Sequence, residues 1–260
     1  MNAPIKTSCY HCRTSNSEHV LKDYVFVYQI QGAIQMYDAK ETLLFGEGSF
    51  YLGVKNKVAR FVKIPPEKGE YRAISLTFSE QLLQEFSREY GYVSSRRVDT
   101  APLLVLPDHP LYHNFIASLQ AYSFLADTTD ETLVKLKLKE ALLVLLKIQP
   151  ELKDILFDFA EPYKIDLASF MEQNFRFNLP LTTFAYLTGR SISAFKRDFE
   201  KLYHCPPAKW LQEKRLDAAY FLLKEKKQKP TQVYEAVGFK DFSHFSFVFK
   251  KHFGLNPSSV

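Results

Sequence analysis

Cysteine is scarce. Three in 260 residues cannot staple a chain of this length, so the fold must rest on buried apolar cores, and a reducing cytoplasm is its natural setting. Long apolar runs are missing too. The most hydrophobic stretch, Leu142 to Leu146, falls far short of the ~20 residues that span a bilayer, and no signal peptide is expected. No membrane partner is expected. Histidine is equally sparse where a catalytic metal would need it: only His11 and His19 precede or enter the strand-rich region, and no His-x-His pair occurs. Cys9-Tyr-His-Cys12 has the spacing of a zinc or redox pair, but a second ligand pair is lacking, and ordinary packed cysteines are the expected reading. The chain is thus expected to hold no metal and no cofactor, and no catalytic residue is assigned.

What is present suffices for two cores, since 46% of the residues are hydrophobic. From Val25 to Phe78 short β-like runs follow one another: VFVYQI, AIQMY, TLLF, SFYLGV, ARFVKI and YRAISLTF. Turn signals separate them, among them Gly46-Glu47-Gly48 and Pro65-Pro66, so a small antiparallel barrel or sandwich is expected. Three helical patterns come next. Ser79 is placed to cap a helix bearing Leu82, Leu83, Phe86 and Tyr90 and ended by Gly91; Asp108 is placed to open a second with Leu111, Phe115, Ile116 and Leu119. The third, residues 130–149, carries two apolar stripes. Val134, Leu138, Leu142, Leu145 and Ile148 form one and Leu136, Leu143 and Leu146 the other. One stripe is expected to bury against the strands, leaving the second for packing within the chain or for a partner helix, with Leu136, Leu143 and Leu146 the dimerisation candidates and the choice between the stripes open.

The last eighty or so residues say one thing twice: FAYLTGRSISAFKRDFEKLYHCPP from Phe184, then VYEAVGFKDFSHFSFVFKKHFGLNP from Val233. Phe195, Phe199, Lys201 and Pro207 recur at an offset of fifty as Phe245, Phe249, Lys251 and Pro257, whereas Gly189 recurs at forty-nine as Gly238. The second turn is therefore one residue longer. Each copy reads as a short helix, a glycine turn and a longer helix, with Ser191 or Ser193 capping the first long helix and Asp241 the second.

Phenylalanines at i and i+4 assign one face of each long helix to the core. The opposite face carries Ser193, Ala194, Lys196, Arg197 and Lys201 in the first copy, and Ser243, His244, Ser246, Phe247 and Lys250 in the second. Small polar residues near a helix start, followed by basic ones, suit insertion into a major groove, where Lys and Arg reach guanine edges or phosphates. A single such face is more often merely solvated. Two at matched spacing point to a reader of double-stranded DNA. Between the copies, PPAKWLQEKRLDAAYFLLK reads as a helix opened by proline, with Trp210 as a core anchor.

These residues resemble the AraC/XylS family of bacterial transcription regulators, on VGFKDFSHFSFVFKKHFGLNP and the upstream KRLDAAYFLL, over residues 166–260. The resemblance implies a seven-helix domain with tandem helix-turn-helix units, promoter binding, contact with RNA polymerase, and Ser193, Lys196, Arg197, Ser243, His244 and Phe247 as base-contacting candidates. It further implies that residues 1–157 are a cupin-like β-barrel with appended helices, a sensing and homodimerising domain for an unidentified small-molecule or protein effector. Two residues depart from the pattern. Tyr234 stands where the family has alanine, and Phe247 where it usually has arginine or another polar residue, so the second copy is expected mainly to grip the backbone, although a phenylalanine can touch a thymine methyl.

Charge divides along the same line. From Tyr163 onward sixteen Lys and Arg face nine Asp and Glu, a net of +7, against −2 for the preceding residues. The reading is an α+β chain: a cytoplasmic regulator, expected to activate. Signal binding would change the pairing or orientation of the readers, and with it half-site occupancy. The alternatives are a cupin-type metal enzyme and a regulator controlled by a protein partner instead of a small molecule.

Overall fold

The computed structural model describes residues 4–11, 17–38, 42–120, 131–160 and 164–260. Cys12 lies outside these, so the Cys9–Cys12 pairing is not described; Cys9 itself is an exposed free thiol. Two compact units divide the chain, Met1–Ala160 and Glu161–Val260.

In the first unit the strands are β1 (Ile5–Tyr10), β2 (Ser17–Val20), β3 (Tyr24–Gln31), β4 (Ala33–Tyr37), β5 (Thr42–Phe45), β6 (Phe50–Gly53), β7 (Val58–Ile64), β8 (Tyr71–Phe78) and β9 (Leu103–Leu106). They pair as two antiparallel sheets, β1-β8-β3-β6-β9 and β2-β7-β4-β5. No described ladder joins the sheets, which corrects the expected closed barrel to an open sandwich. Closure would require an edge strand of one sheet to exchange hydrogen bonds with an edge of the other. Instead β1, β9, β2 and β5 each pair on one side only among the described residues, and large side chains hold the two sheets face to face.

At β3 the five-stranded sheet is buried on both faces, as the alternation along that strand dictates. Tyr24 and Phe26 join a core with the helices, while Val27 turns to the other sheet, beside Met36, Phe45, Tyr51 and Tyr71. Between the sheets Gln29 is fully buried yet satisfied. Its amide donates to the carbonyls of Gln31 at 2.8 Å and Arg72 at 3.1 Å, and its oxygen accepts from the Tyr51 hydroxyl at 3.3 Å.

Helices α1 (Glu80–Tyr90), α2 (Pro110–Gln120), α3 (Glu131–Ile148) and α4 (Lys153–Leu156) supply the helical side of this core. Ser79 caps α1 by accepting from the Leu82 amide, and Gly91 closes it at φ 73°, both as the sequence implies. Helix α2 starts two residues after Asp108, whose carboxylate lies 2.5 Å from the His113 ring instead of opening the helix. On α3, Leu138, Leu142 and Leu145 are buried and Leu136 and Leu143 exposed, but Leu146 is only 3% exposed, which corrects its place in the outer stripe. Leu146 lies one turn from Leu142, a rotation of only about 40°, so it points with Leu142 into the core. Asp154 ties the segment after α1 to α4, its carboxylate accepting from the Ser95 amide at 2.7 Å and hydroxyl at 2.9 Å.

The second unit is helical: α5 (Leu167–Asn174), α6 (Leu181–Leu187), α7 (Ile192–Tyr203), α8 (Pro207–Lys224), α9 (Pro230–Ala236) and α10 (Phe242–Phe253). A single 3-10 turn, Pro257–Ser259, follows α10. No helix among the described residues is long and apolar enough to cross a membrane.

Candidate nucleic-acid interface

Two small cores share one helix. Trp210 and Leu211, near the start of α8, pack with Phe184, Phe195 and Phe199, whereas Leu216, Ala219 and Leu223 further along it pack with Val233, Phe245 and Phe249. Trp210 meets the rings of Phe199 and Tyr203 at 5.5 Å and 4.8 Å, confirming it as a core anchor. Eighteen residues give α8 a length of about 27 Å.

Each core carries a helix-turn-helix. α6 and α9 are seven residues long, α7 and α10 twelve, and the turn before α10 is the longer by one residue. Gly189 and Gly238 adopt φ of 64° and 94° in these turns. Ser191, and not Ser193, caps α7 by accepting from the Ala194 amide at 3.2 Å; Asp241 caps α10 by accepting from the His244 amide at 2.7 Å. Phe195, Phe199, Phe245 and Phe249 are fully buried, each withdrawing apolar surface worth about 2–3 kcal/mol. That burial fixes which face of α7 and α10 meets solvent.

On that outer face of α7, Ser193, Lys196, Arg197 and Lys201 are exposed and Ala194 is half-buried. On α10, Ser243, His244, Phe247 and Lys250 are exposed and Ser246 is half-buried. Tyr234, the departure on α9, packs edge-on against Phe242 at 5.5 Å and donates from its hydroxyl to Glu235 at 2.9 Å. Its ring fills the space that a smaller side chain would leave beside the start of α10.

Three groups that the sequence reading missed hold or extend this surface. Arg190 is almost wholly buried beneath α7, donating to the carbonyls of Thr188 at 2.7 Å and Ile165 at 3.0 Å and to Asp198 at 3.2 Å. Asp198 also pairs with Lys164 at 3.1 Å. The Lys164 ammonium first, then the Arg190 guanidinium, hold the Asp198 carboxyl below the usual range. Arg215, on α8, donates to the carbonyls of Phe175 at 2.8 Å and Phe177 at 2.9 Å, binding the helix to the segment before α6. Finally Lys224, Lys226, Lys227 and Lys229 are exposed around the α8–α9 connection. That run was visible as charge alone; the buried roles of Arg190 and Arg215 leave no trace in sequence pattern.

Two equivalent helices, each capped, each with its apolar face sealed and its polar or basic face open, hang from one shared helix. This arrangement defines a tandem helix-turn-helix DNA-binding protein. Comparison with known proteins agrees on both units. A helix-turn-helix domain family matches residues 184–260, and the ExsA N-terminal regulatory domain family matches residues 24–155. The HTH-type transcriptional regulator ExsA of Pseudomonas aeruginosa is 25% identical over 97% of this chain and 91% of its own length. The virulence regulon transcriptional activator VirF of Yersinia enterocolitica is 27% identical over 88% of this chain and 83% of its own. A solved structure of apo ToxT from Vibrio cholerae aligns over 99% of this chain and 97% of that one, at 15% identity and a TM-score of 0.49. The chain belongs to the AraC/XylS family and carries an ExsA-type N-terminal regulatory domain. It is a DNA-binding transcription regulator.

Proposed function

We propose that this regulator activates transcription at promoters where α7 and α10 enter successive major-groove segments, while the N-terminal unit receives the controlling signal and pairs two copies of the chain. The observation that carries the reading is the shared helix α8, which builds both reading helices into one unit with their outer faces open. Activation, in this reading, follows from contact with RNA polymerase by the promoter-bound dimer. The direct test is enrichment of genomic fragments by the purified full chain, followed by footprinting. A footprint covering two adjacent major-groove segments is expected; absence of any enriched fragment would sink the reading.

Homodimerisation is assigned to the outer stripe of α3. Leu136 and Leu143 are 57% and 38% exposed, one heptad apart, and Leu143 borders a shallow apolar groove with Leu111, Val144 and Pro150. The unit is proposed to be a sensor without catalysis, working in the cytoplasm. Its α2 histidine His113 is engaged by Asp108 and stands edge-on to Phe50 at 5.0 Å, an arrangement that serves packing.

A protein effector is favoured over a small molecule by the filled space between the sheets, where Met36, Phe45, Tyr51 and Tyr71 are buried against one another. A ligand there would have to displace a packed aromatic core. If the low-molecular-weight fraction of a cell extract alters operator occupancy while the macromolecular fraction does not, this second reading fails.

A further inference from the structure

Arg197 is the sixth residue of α7 and Phe247 the sixth of α10, so equivalent positions on the two reading helices carry opposite chemistry. Phe247 is 67% exposed, whereas Phe245 and Phe249, two residues to either side, are sealed in the core. Rings of Phe242, Phe245, Phe249 and Phe253 pack with one another beneath the helix, and Phe247 stands away from them on the opposite face. Its neighbours one turn before, Ser243 and His244, and one turn after, Lys250 and Lys251, are all exposed.

Those lysines draw the face toward a polyanion, so the ring needs an apolar partner within a groove lined by phosphates. Among the base edges of the major groove, the C5 methyl of thymine is that partner. A guanine edge at the same place would leave its two acceptors buried against a ring that cannot satisfy them. We propose that Phe247 is a specificity-determining residue that packs on a thymine methyl, at the position where the first reader presents Arg197 to a guanine edge. The proposal rests on the DNA-reading function above and deepens it: the two halves of the operator are asymmetric in chemistry, one selected by hydrogen bonding and the other by an apolar contact.

The experiment begins by enriching a randomised duplex library with the purified full chain. Each thymine of the enriched site is then replaced by deoxyuracil, which removes one methyl and preserves base pairing. Replacement at one thymine of the second half-site is expected to weaken binding roughly three- to fivefold, the factor that withdrawing one methyl from water corresponds to. F247A should bind thymine and uracil duplexes alike, and F247L, which keeps an apolar side chain, should retain part of the preference. Retention by F247L separates a lost contact from a misfolded reader. Methyl sensitivity that survives F247A, or no methyl-sensitive thymine at all, overturns the assignment while leaving DNA reading intact. Unchanged operator binding by F247A with lost promoter output overturns it too, because the ring would then face a protein. Failure to enrich any duplex overturns the DNA-reading function itself.

Discussion

Gly238 lies so close to the backbone of Arg176 that a Cβ at position 238 would sit 2.3 Å from the Arg176 carbonyl oxygen. The turn of the second helix-turn-helix therefore rests directly on the segment between α5 and α6, beside the Arg215 hydrogen bonds that hold the same segment to α8. Gly238→Ala meets two penalties, a φ of 94° and a clash with backbone that cannot swing aside. The expected cost is upwards of about 2 kcal/mol, a fall of roughly 10 °C in the melting of the C-terminal unit. Gly254→Ala is the control. Its φ is 77° but nothing lies within 4 Å of the added atom, so only conformational strain of about 1 kcal/mol is expected. Equal melting temperatures for the two variants would contradict the close contact.

Arg197 and Lys250 are expected to fail in different ways. Arg197→Ala should relax preference at one base position by about 1–3 kcal/mol, read as a changed logo after site selection. Lys250→Ala should weaken binding evenly across sequences and lower the slope of log affinity against log salt by about 0.9. An unaltered logo for the first, or an unaltered slope for the second, removes the role assigned to that residue.

The Asp198 carboxyl, held low by Lys164 and then Arg190, makes the C-terminal unit acid-sensitive. A depressed folded-state value means that the stabilisation is fully present above the unfolded-state value, about 3.9, and is lost as pH falls through the folded value. Asp198→Asn should therefore melt below the parent chain at neutral pH, and the gap should close on acidification below about pH 4. A gap independent of pH would mean that the ion pairs contribute nothing.

Replacing Leu136 and Leu143 together by Glu should convert a dimer to a monomer in sedimentation equilibrium without lowering the melting temperature by more than a few degrees, because neither side chain is buried in the core, Leu136 being 57% and Leu143 38% exposed. Leu146→Glu should unfold the N-terminal unit instead, since Leu146 is buried with Leu142 and Leu145. A persistent dimer in the double variant would move the interface elsewhere.

The difference between Leu143 and Leu146 marks where sequence pattern stops being sufficient. Periodicity located α3 to within a residue or two, but two overlapping stripes leave their boundary to be decided by the neighbours that cover it, here the core shared with Leu138 and Leu142. The six strands β3 to β8 were legible because apolar runs alternate with turn signals. β1 was not, because it is a half-exposed edge strand paired, among the described residues, to β8 alone, and β9 was not, because four residues between Pro102 and Pro107 carry too little pattern. Whether two sheets close into a barrel depends on pairings between strands remote in sequence, which local pattern does not encode. The outer faces of α7 and α10 were the most legible part. Buried phenylalanines four residues apart determine the outer face in any helix, and a second copy at matched spacing reinforces the assignment. The supports beneath, Arg190 and Arg215, bind backbone carbonyls, and any sequence can offer a carbonyl.

Helix α8 runs through both small cores, so the gap between the two reading helices is set in rigid protein and not in a tether. On the proposed reading, in which both helices enter the groove, length becomes part of what is recognised. One base pair inserted between the half-sites turns the second by about 35° around the duplex axis, and that error has to be absorbed as DNA twist or bend. An operator read in this way is measured as well as spelled.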